Sequence, residues 1–287
     1  MSRLKAVKPK EAPQTKPKIL IFGPAGSGKT YTALDFPKAY YIDTEGGATL
    51  PTYTEKLTQS GGAYFGVEQG SLSFDTILDE VKALATEKHD YKTLVIDSIT
   101  KVYNTEIAKE AERLGDKDAF GASKKPAIAY MRQLISWIAR LDMNVIMIAH
   151  ETAEWSKGEA IGTTFDCFAK VEYELDLCLQ VLHLGDERKA YIRKSRFENF
   201  PCKTSFPWSY AEFAKRYGQE VIEAEGQEIT LADEGQLKEI AYLIETFNIT
   251  EKQISKWFDM FKCDSWENMA SNKVEAIINK IKDSVKT

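Results

Sequence analysis

The chain has 287 residues, 43% of them hydrophobic and 28% charged, enough for one large core or one core plus a small appendage. A net charge of −5 excludes a global basic field that would by itself announce a nucleic acid. No apolar run reaches membrane-spanning length and no signal-peptide pattern opens the chain. The cysteines (Cys167, Cys178, Cys202, Cys263) show no C-x-x-C spacing, so they read as reduced packing residues of a cytoplasmic protein.

Residues 1–16 carry lysines and prolines but few large apolar side chains, and read as a flexible basic arm. An apolar run at 19–22 then enters Gly23-Pro24-Ala25-Gly26-Ser27-Gly28-Lys29-Thr30. This is G-x-x-x-x-G-K-T, the P-loop pattern, in the required order of strand, loop and helix. The glycines allow the backbone to curl so that successive N–H groups face one concavity, and the helix start adds its positive end. Lys29 is expected to reach the β- and γ-phosphates of ATP, and the Thr30 hydroxyl to hold Mg²⁺.

A second strand is expected at 39–42, ending in Asp43-Thr44-Glu45-Gly46-Gly47. Acids at a strand tip followed by glycines sit where parallel sheets place their chemistry. Residues 50–72, rich in Gly, Ser and Thr, read as loop. Phe74, Ile77, Leu78, Val81 and Leu84 mark an amphipathic helix. The run at 93–96 delivers Asp97 to a strand end, the Walker B arrangement, where a carboxylate serves Mg²⁺. Helix is expected over 99–114, a polar break over 115–126, and a second helix carrying Ile128, Met131, Ile135 and Ile138 on one face.

Another buried strand at 144–149 ends at His150-Glu151, and residues 151–174 show little periodicity and read as a long functional loop. Runs at 175–184 and 189–193 flank Gly185-Asp186-Glu187 as a hairpin that ends in Lys194-Ser195-Arg196. A short helix is expected over 208–217, and a linker over 218–230. Three amphipathic helices then make a small domain over 231–287, with Thr250-x-x-Gln253 as a capping box. The domain division expected is therefore arm 1–16, core 17–217, linker 218–230 and three-helix domain 231–287.

Hydrolysis also needs a group that positions or deprotonates water. Ser98 follows Asp97, so no acid sits directly after the Walker B residue; Glu45 is the acid at a strand tip that remains, with Asp43, which alternates with it along the strand end, the less favoured base. Glu45 would face the γ-phosphate if its strand lies beside the Walker B strand.

The series Ile42-Asp43-Thr44-Glu45, then Val95-Ile96-Asp97-Ser98, then a strand ending in a polar residue resembles the RecA recombinase family. The resemblance implies an α/β RecA-like core with a mainly parallel sheet and a C-terminal antiparallel hairpin. It implies Glu45 as the water-activating base, Asp97 as the Mg²⁺ residue and His150 as the γ-phosphate sensor, where the family usually has an amide. Lys194 and Arg196 resemble the K-x-R that related ring and filament ATPases extend into a neighbour's nucleotide site.

More narrowly, the Tyr41-Ile42-Asp43-Thr44-Glu45-Gly46-Gly47 run, the His150-Glu151 pair, the Lys194-Ser195-Arg196 run and the helical C-terminus are similar to bacteriophage RecA-core single-strand annealing proteins. This likeness implies ATP-linked binding of single-stranded DNA, with annealing or strand pairing by a homo-oligomer, ring or filament, in the host cytoplasm. DNA contacts would fall at Lys124 and Lys125 and at Trp155 and Lys157. The C-terminal domain holds ten acids against eight lysines over 231–287, which suits a protein partner, such as a single-strand-binding protein, or a cap on the core. The rival readings are a ring helicase or other motor ATPase, a nucleotide-switched DNA-binding module without turnover, and, more remotely, a small-molecule kinase.

Overall fold

A computed structural model of the chain describes residues 13–285. Its centre is an eight-stranded sheet. The strands and helices alternate from the start: β1 (Lys18–Phe22), α1 (Lys29–Ala33), β2 (Ala39–Asp43), α2 (Pro51–Ser60), β3 (Ala63–Phe65), α3 (Phe74–Thr86), β4 (Thr93–Asp97), α4 (Ile99–Leu114), α5 (Lys124–Arg140) and β5 (Asn144–Ala149). A separate two-stranded ribbon follows, β6 (Glu151–Ser156) and β7 (Glu159–Phe165), then α6 (Val171–Glu174). The core closes with β8 (Leu177–Leu184), β9 (Glu187–Ser195), β10 (Ser205–Pro207), α7 (Tyr210–Tyr217) and α8 (Gln219–Glu223).

The strand order is β10-β9-β8-β1-β5-β4-β2-β3. From β8 to β3 every pairing is parallel, while β9 and β10 pair antiparallel. The parallel strands are covered on both faces, which is why they read as unbroken apolar runs. Alternate residues serve opposite layers: Leu20, Phe22, Ile96 and Met147 join α3, α4 and α5 in one core. Ile19, Ile21, Val95 and Ile146 join α1, α2 and α7 in the other. A third, separate core belongs to α9 (Glu234–Thr246), α10 (Glu251–Phe261) and α11 (Ser271–Val285), around Ile240, Val274, Ile277 and Ile281. Among the described residues, no helix is long and apolar enough to cross a membrane.

Three expectations need correction. Residues 50–72 are not loop throughout: they form α2 and β3. Pro51 sits in the first turn of α2 and Gly61, at φ +71°, closes it. The helix buries only Leu57, so it carries no apolar stripe to read. Residues 151–174 are also mostly ordered into the β6–β7 ribbon and α6. The ribbon is largely exposed and lacks alternation, but its turn at Lys157 and Gly158, both at positive φ, is a two-residue hairpin connection. Finally, the arm expected over 1–16 is free at most in part. Residues 1–12 lie outside the described residues, but Gln14 donates to the Tyr217 carbonyl at 2.7 Å and the Lys16 amine donates to the Ile222 carbonyl at 3.2 Å. Lys16 is 5% exposed, so it anchors the chain start to α8.

Candidate functional site: a cleft at the ends of the parallel strands

The strand order decides which loops meet. β5 lies between β1 and β4, and β2 follows β4. In register, Phe22 stands beside Ala149, Ile148 beside Asp97, and Asp97 beside Asp43. The segments that leave these ends therefore share one edge: the P-loop, His150, Ser98 and Glu45. Lys29, Thr30, Glu45, Asp97, His150 and Gly23 line a single cleft of about 660 Å³ there.

The P-loop is shaped by its neighbours. Gly23, Gly26 and Gly28 have φ of +149°, +76° and +86°. A Cβ at Gly23 would stand 2.1 Å from the Val181 carbonyl oxygen of β8, so no side chain fits. The Lys29 amine donates to the Gly23 and Pro24 carbonyls at 2.8 Å each, across the mouth of the loop. Burial lowers its pKa, against the opposing pull of Asp97 and Glu151. The helix that follows is short, five residues, so the N–H groups of the loop, rather than a long helix dipole, make the positive concavity.

The acids have different surroundings. Asp97 is 7% exposed and accepts from the Thr30 hydroxyl at 2.5 Å. Burial raises its pKa to about 6, and the charges of Glu45 and Asp43 add to the rise. Asp43 is committed to the backbone. Its carboxylate accepts from the N–H groups of Glu45, Gly46 and Ala48 at 2.9, 3.0 and 2.7 Å. It thereby folds the turn that presents Glu45. Glu45 keeps a side chain 35% exposed, with Oε1 3.2 Å from His150 Nε2 and 2.6 Å from the Ser98 hydroxyl. Thr44 completes the lock: its N–H donates to the Asp97 carbonyl at 2.7 Å, and its hydroxyl accepts from the Ser98 N–H at 2.9 Å.

These residues fit a polyphosphate with a divalent cation. A glycine loop too close to its neighbours for a Cβ at Gly23 or Gly28, a lysine at its mouth, and a hydroxyl and carboxylate in contact are the donor set such a pair needs. Among the described residues, no cluster of three or more His, Cys, Asp or Glu suits a metal held by protein alone.

The other expected residues lie elsewhere. Lys194 pairs with Cys178, and the Arg196 N–H donates to the Asp176 carbonyl beside the start of β1. Both are thus displaced toward the sheet edge opposite this chain's own P-loop. Lys194 bonds the Leu175 carbonyl, and Arg196 bonds the Tyr173 carbonyl and pairs with Asp176 at 3.4 Å. Trp155 is 67% exposed on the ribbon, Lys157 is exposed in its turn, and Lys124 and Lys125 are exposed at the start of α5. Sequence reasoning missed Ser98 and Asp43 as supports of Glu45. The positions adjoining the two acidic strand ends were the available signal.

Residues 15–204 match the family model described as "AAA domain". No curated protein matches the chain. Among solved structures, the chain is similar to one described as "Crystal structure of the RadB recombinase", at 22% identity and a TM-score of 0.45. That likeness covers 67% of this chain and 87% of the other.

Proposed function

The chain belongs to the AAA domain family, and on that premise we propose that it is a phage-type recombination ATPase that couples ATP hydrolysis to single-stranded DNA. The convergence of Lys29, Thr30, Asp97 and Glu45 on one cleft carries the reading, since they come from separate segments. The P-loop N–H groups and Lys29 bind the β- and γ-phosphates. Thr30 and Asp97 would hold Mg²⁺, which when bound neutralises charge on the phosphate oxygens. Glu45 orients a water and takes its proton as the water attacks the γ-phosphorus and the bond to the β–γ bridging oxygen breaks, so that ADP and inorganic phosphate leave. Ser98 and His150 contact the Glu45 carboxylate, which supports its orientation, and on this reading His150, at the end of the strand between β1 and β4, senses the γ-phosphate.

The DNA part rests on the ribbon. β6 leaves the sheet directly after His150 and carries an exposed Trp155, a face on which a base can stack, with Lys157 in its turn. Lys124 and Lys125 add exposed charge for the backbone. The product is annealing or strand pairing by a homo-oligomer. Lys194 and Arg196, directed away from their own P-loop, serve a neighbour's nucleotide. We assign the core to 17–217, extended by α8, whose Ile222 is buried with it, and a partner-docking domain to 231–287, with a single-strand-binding protein as its partner and the bacterial cytoplasm as the setting.

The test is hydrolysis and annealing by wild type and Glu45→Gln, with and without single-stranded DNA. General-base loss predicts roughly a hundredfold or greater fall in turnover with ATP binding retained. Equal turnover removes Glu45 from catalysis. Strand unwinding by the wild type would instead make it a motor.

A further inference from the structure

Three carboxylates line the phosphate cleft: Glu45, Asp97 and Glu151. Asp97 contacts the Thr30 hydroxyl, and Glu45 contacts Ser98 and His150, in keeping with the roles proposed for them above. Glu151 has no such role. A further acid among phosphate-binding groups opposes a polyphosphate, because like charges at close range repel.

The fold fixes Glu151 in this place. It is the first residue of β6, directly after the segment that ends β5, and it pairs with Phe165, the last residue of β7. Its Oε1 accepts from the Thr163 hydroxyl of β7 and from the Gln180 side-chain amide of β8, at 2.7 Å each. Gln180 Nε2 also donates to the Thr163 hydroxyl at 2.9 Å, which closes a triangle. Gln180 stands in register with Phe22, the residue that precedes Gly23. The carboxylate is therefore held from two strands beside the start of the P-loop. Arg193 of β9 reaches the same ribbon, but it donates to the Thr163 carbonyl at 2.8 Å and pairs with Glu154 at 3.0 Å. Lys29 is the lysine that shares the cleft with Glu151, and the charges of Asp97 and Glu151 both favour its protonated form.

We propose that Glu151 is a built-in counter-anion of the phosphate loop, tethered by Thr163 and Gln180, with which the terminal phosphates of a nucleotide compete for Lys29. The inference rests on the ATP-site reading above. Competition of this kind weakens every polyphosphate ligand. It weakens triphosphates more than diphosphates, because the third phosphate adds charge on the side of the cleft where β5 ends. Glu151 thereby lowers the hold on ADP as well, and speeds release of the product.

The experiment is equilibrium binding of Mg²⁺-ATP, Mg²⁺-ADP and inorganic tripolyphosphate by calorimetry at one fixed ionic strength. It uses the full chain as wild type, Glu151→Gln and Glu151→Ala, with thermal melts as the folding control. Both variants should bind ATP and tripolyphosphate roughly tenfold more tightly than wild type, and ADP more tightly by a smaller factor. A gain of affinity separates the two roles Glu151 can have: loss of a mere tether, or partial unfolding, leaves binding unchanged or weakens it. The amide of Glu151→Gln keeps an acceptor for Thr163 and Gln180 but can also donate to a phosphate, whereas Glu151→Ala brings no donor. The proposal is overturned if ATP and tripolyphosphate bind no more tightly in either variant. It is equally overturned if Glu151→Gln alone gains, because the new amide donor would then be the cause. A wild type that binds neither ATP nor tripolyphosphate would defeat the ATP-site reading itself, and the counter-anion with it.

Discussion

Ser98 and Glu45 are joined across two strand ends: the Ser98 hydroxyl donates to Glu45 Oε1 at 2.6 Å, and the Ser98 N–H donates to the neighbouring Thr44 hydroxyl at 2.9 Å. The same Ser98 hydroxyl accepts from the Lys101 N–H at 3.2 Å and so caps α4. One side chain thus ties Glu45, the proposed base, to the segment that presents Asp97.

Ser98→Ala should separate these duties. Losing a hydrogen bond to a charged group costs about 1.5–3 kcal/mol, so turnover should fall roughly tenfold or more while ATP affinity holds. Loss of the cap should cost about 1 kcal/mol of stability, read as a lower melting temperature. Ser98→Thr should restore much of both. A lower melting temperature with unchanged turnover would leave Ser98 as a cap alone.

The Asp97 carboxyl gives a pH signature. Its folded pKa, about 6, lies above the ordinary carboxylate range because burial disfavours the charge. The native state therefore holds this proton more tightly than the unfolded chain. Its stabilising contribution is complete below about pH 4 and is lost as pH rises through about 6, a swing of about 3 kcal/mol. Asp97→Asn should raise the melting temperature of the nucleotide-free protein at pH 8, with little gain at pH 4, and should abolish Mg²⁺-dependent hydrolysis. An equal gain at both pH values would show that desolvated charge is not the cause.

Gly23→Ala tests the loop's dependence on β8. The added methyl would meet the Val181 carbonyl oxygen at 2.1 Å, at a φ of +149°. Strain of this kind costs on the order of 1–3 kcal/mol, and relief requires the loop or β8 to move. Both melting temperature and ATP affinity should fall. Gly26→Ala provides the contrast: it meets nothing within 4 Å, though its φ of +76° still carries strain, so its loss should be the smaller.

Trp155→Ala should leave folding untouched, because the side chain is 67% exposed; surface changes usually stay within about 0.5 kcal/mol. Single-stranded DNA affinity should weaken by about 1–3 kcal/mol, measured by fluorescence anisotropy with ATP present. Unchanged affinity would remove the ribbon from the DNA interface.

Legibility followed the range of the interactions. The P-loop, the β4 run to Asp97 and the helix stripes at 74–84 and 128–138 are local patterns, in which each residue's neighbours along the chain already state its environment. The α2 helix escaped notice because it buries a single leucine. The β6–β7 ribbon escaped because its faces are wet and show no alternation. The sequence already favours Glu45 over Asp43 as the base. The structure adds the physical reason: three backbone N–H groups close on the Asp43 carboxylate, while Glu45 lines the cleft.

From its amino acids alone the chain determined a phosphate-binding loop, a mainly parallel sheet between helices and a helical C-terminus, since backbone conformation and burial period are written in short windows. Tertiary structure alone decided which strand ends became neighbours. By seating β5 between β1 and β4, and β8 on the far side of β1, it gave Glu45 its Ser98 and His150 contacts and brought Arg188 onto Gly28. Those contacts join residues far apart in the chain, and no periodicity records them, because strand order is set by how the whole sheet packs.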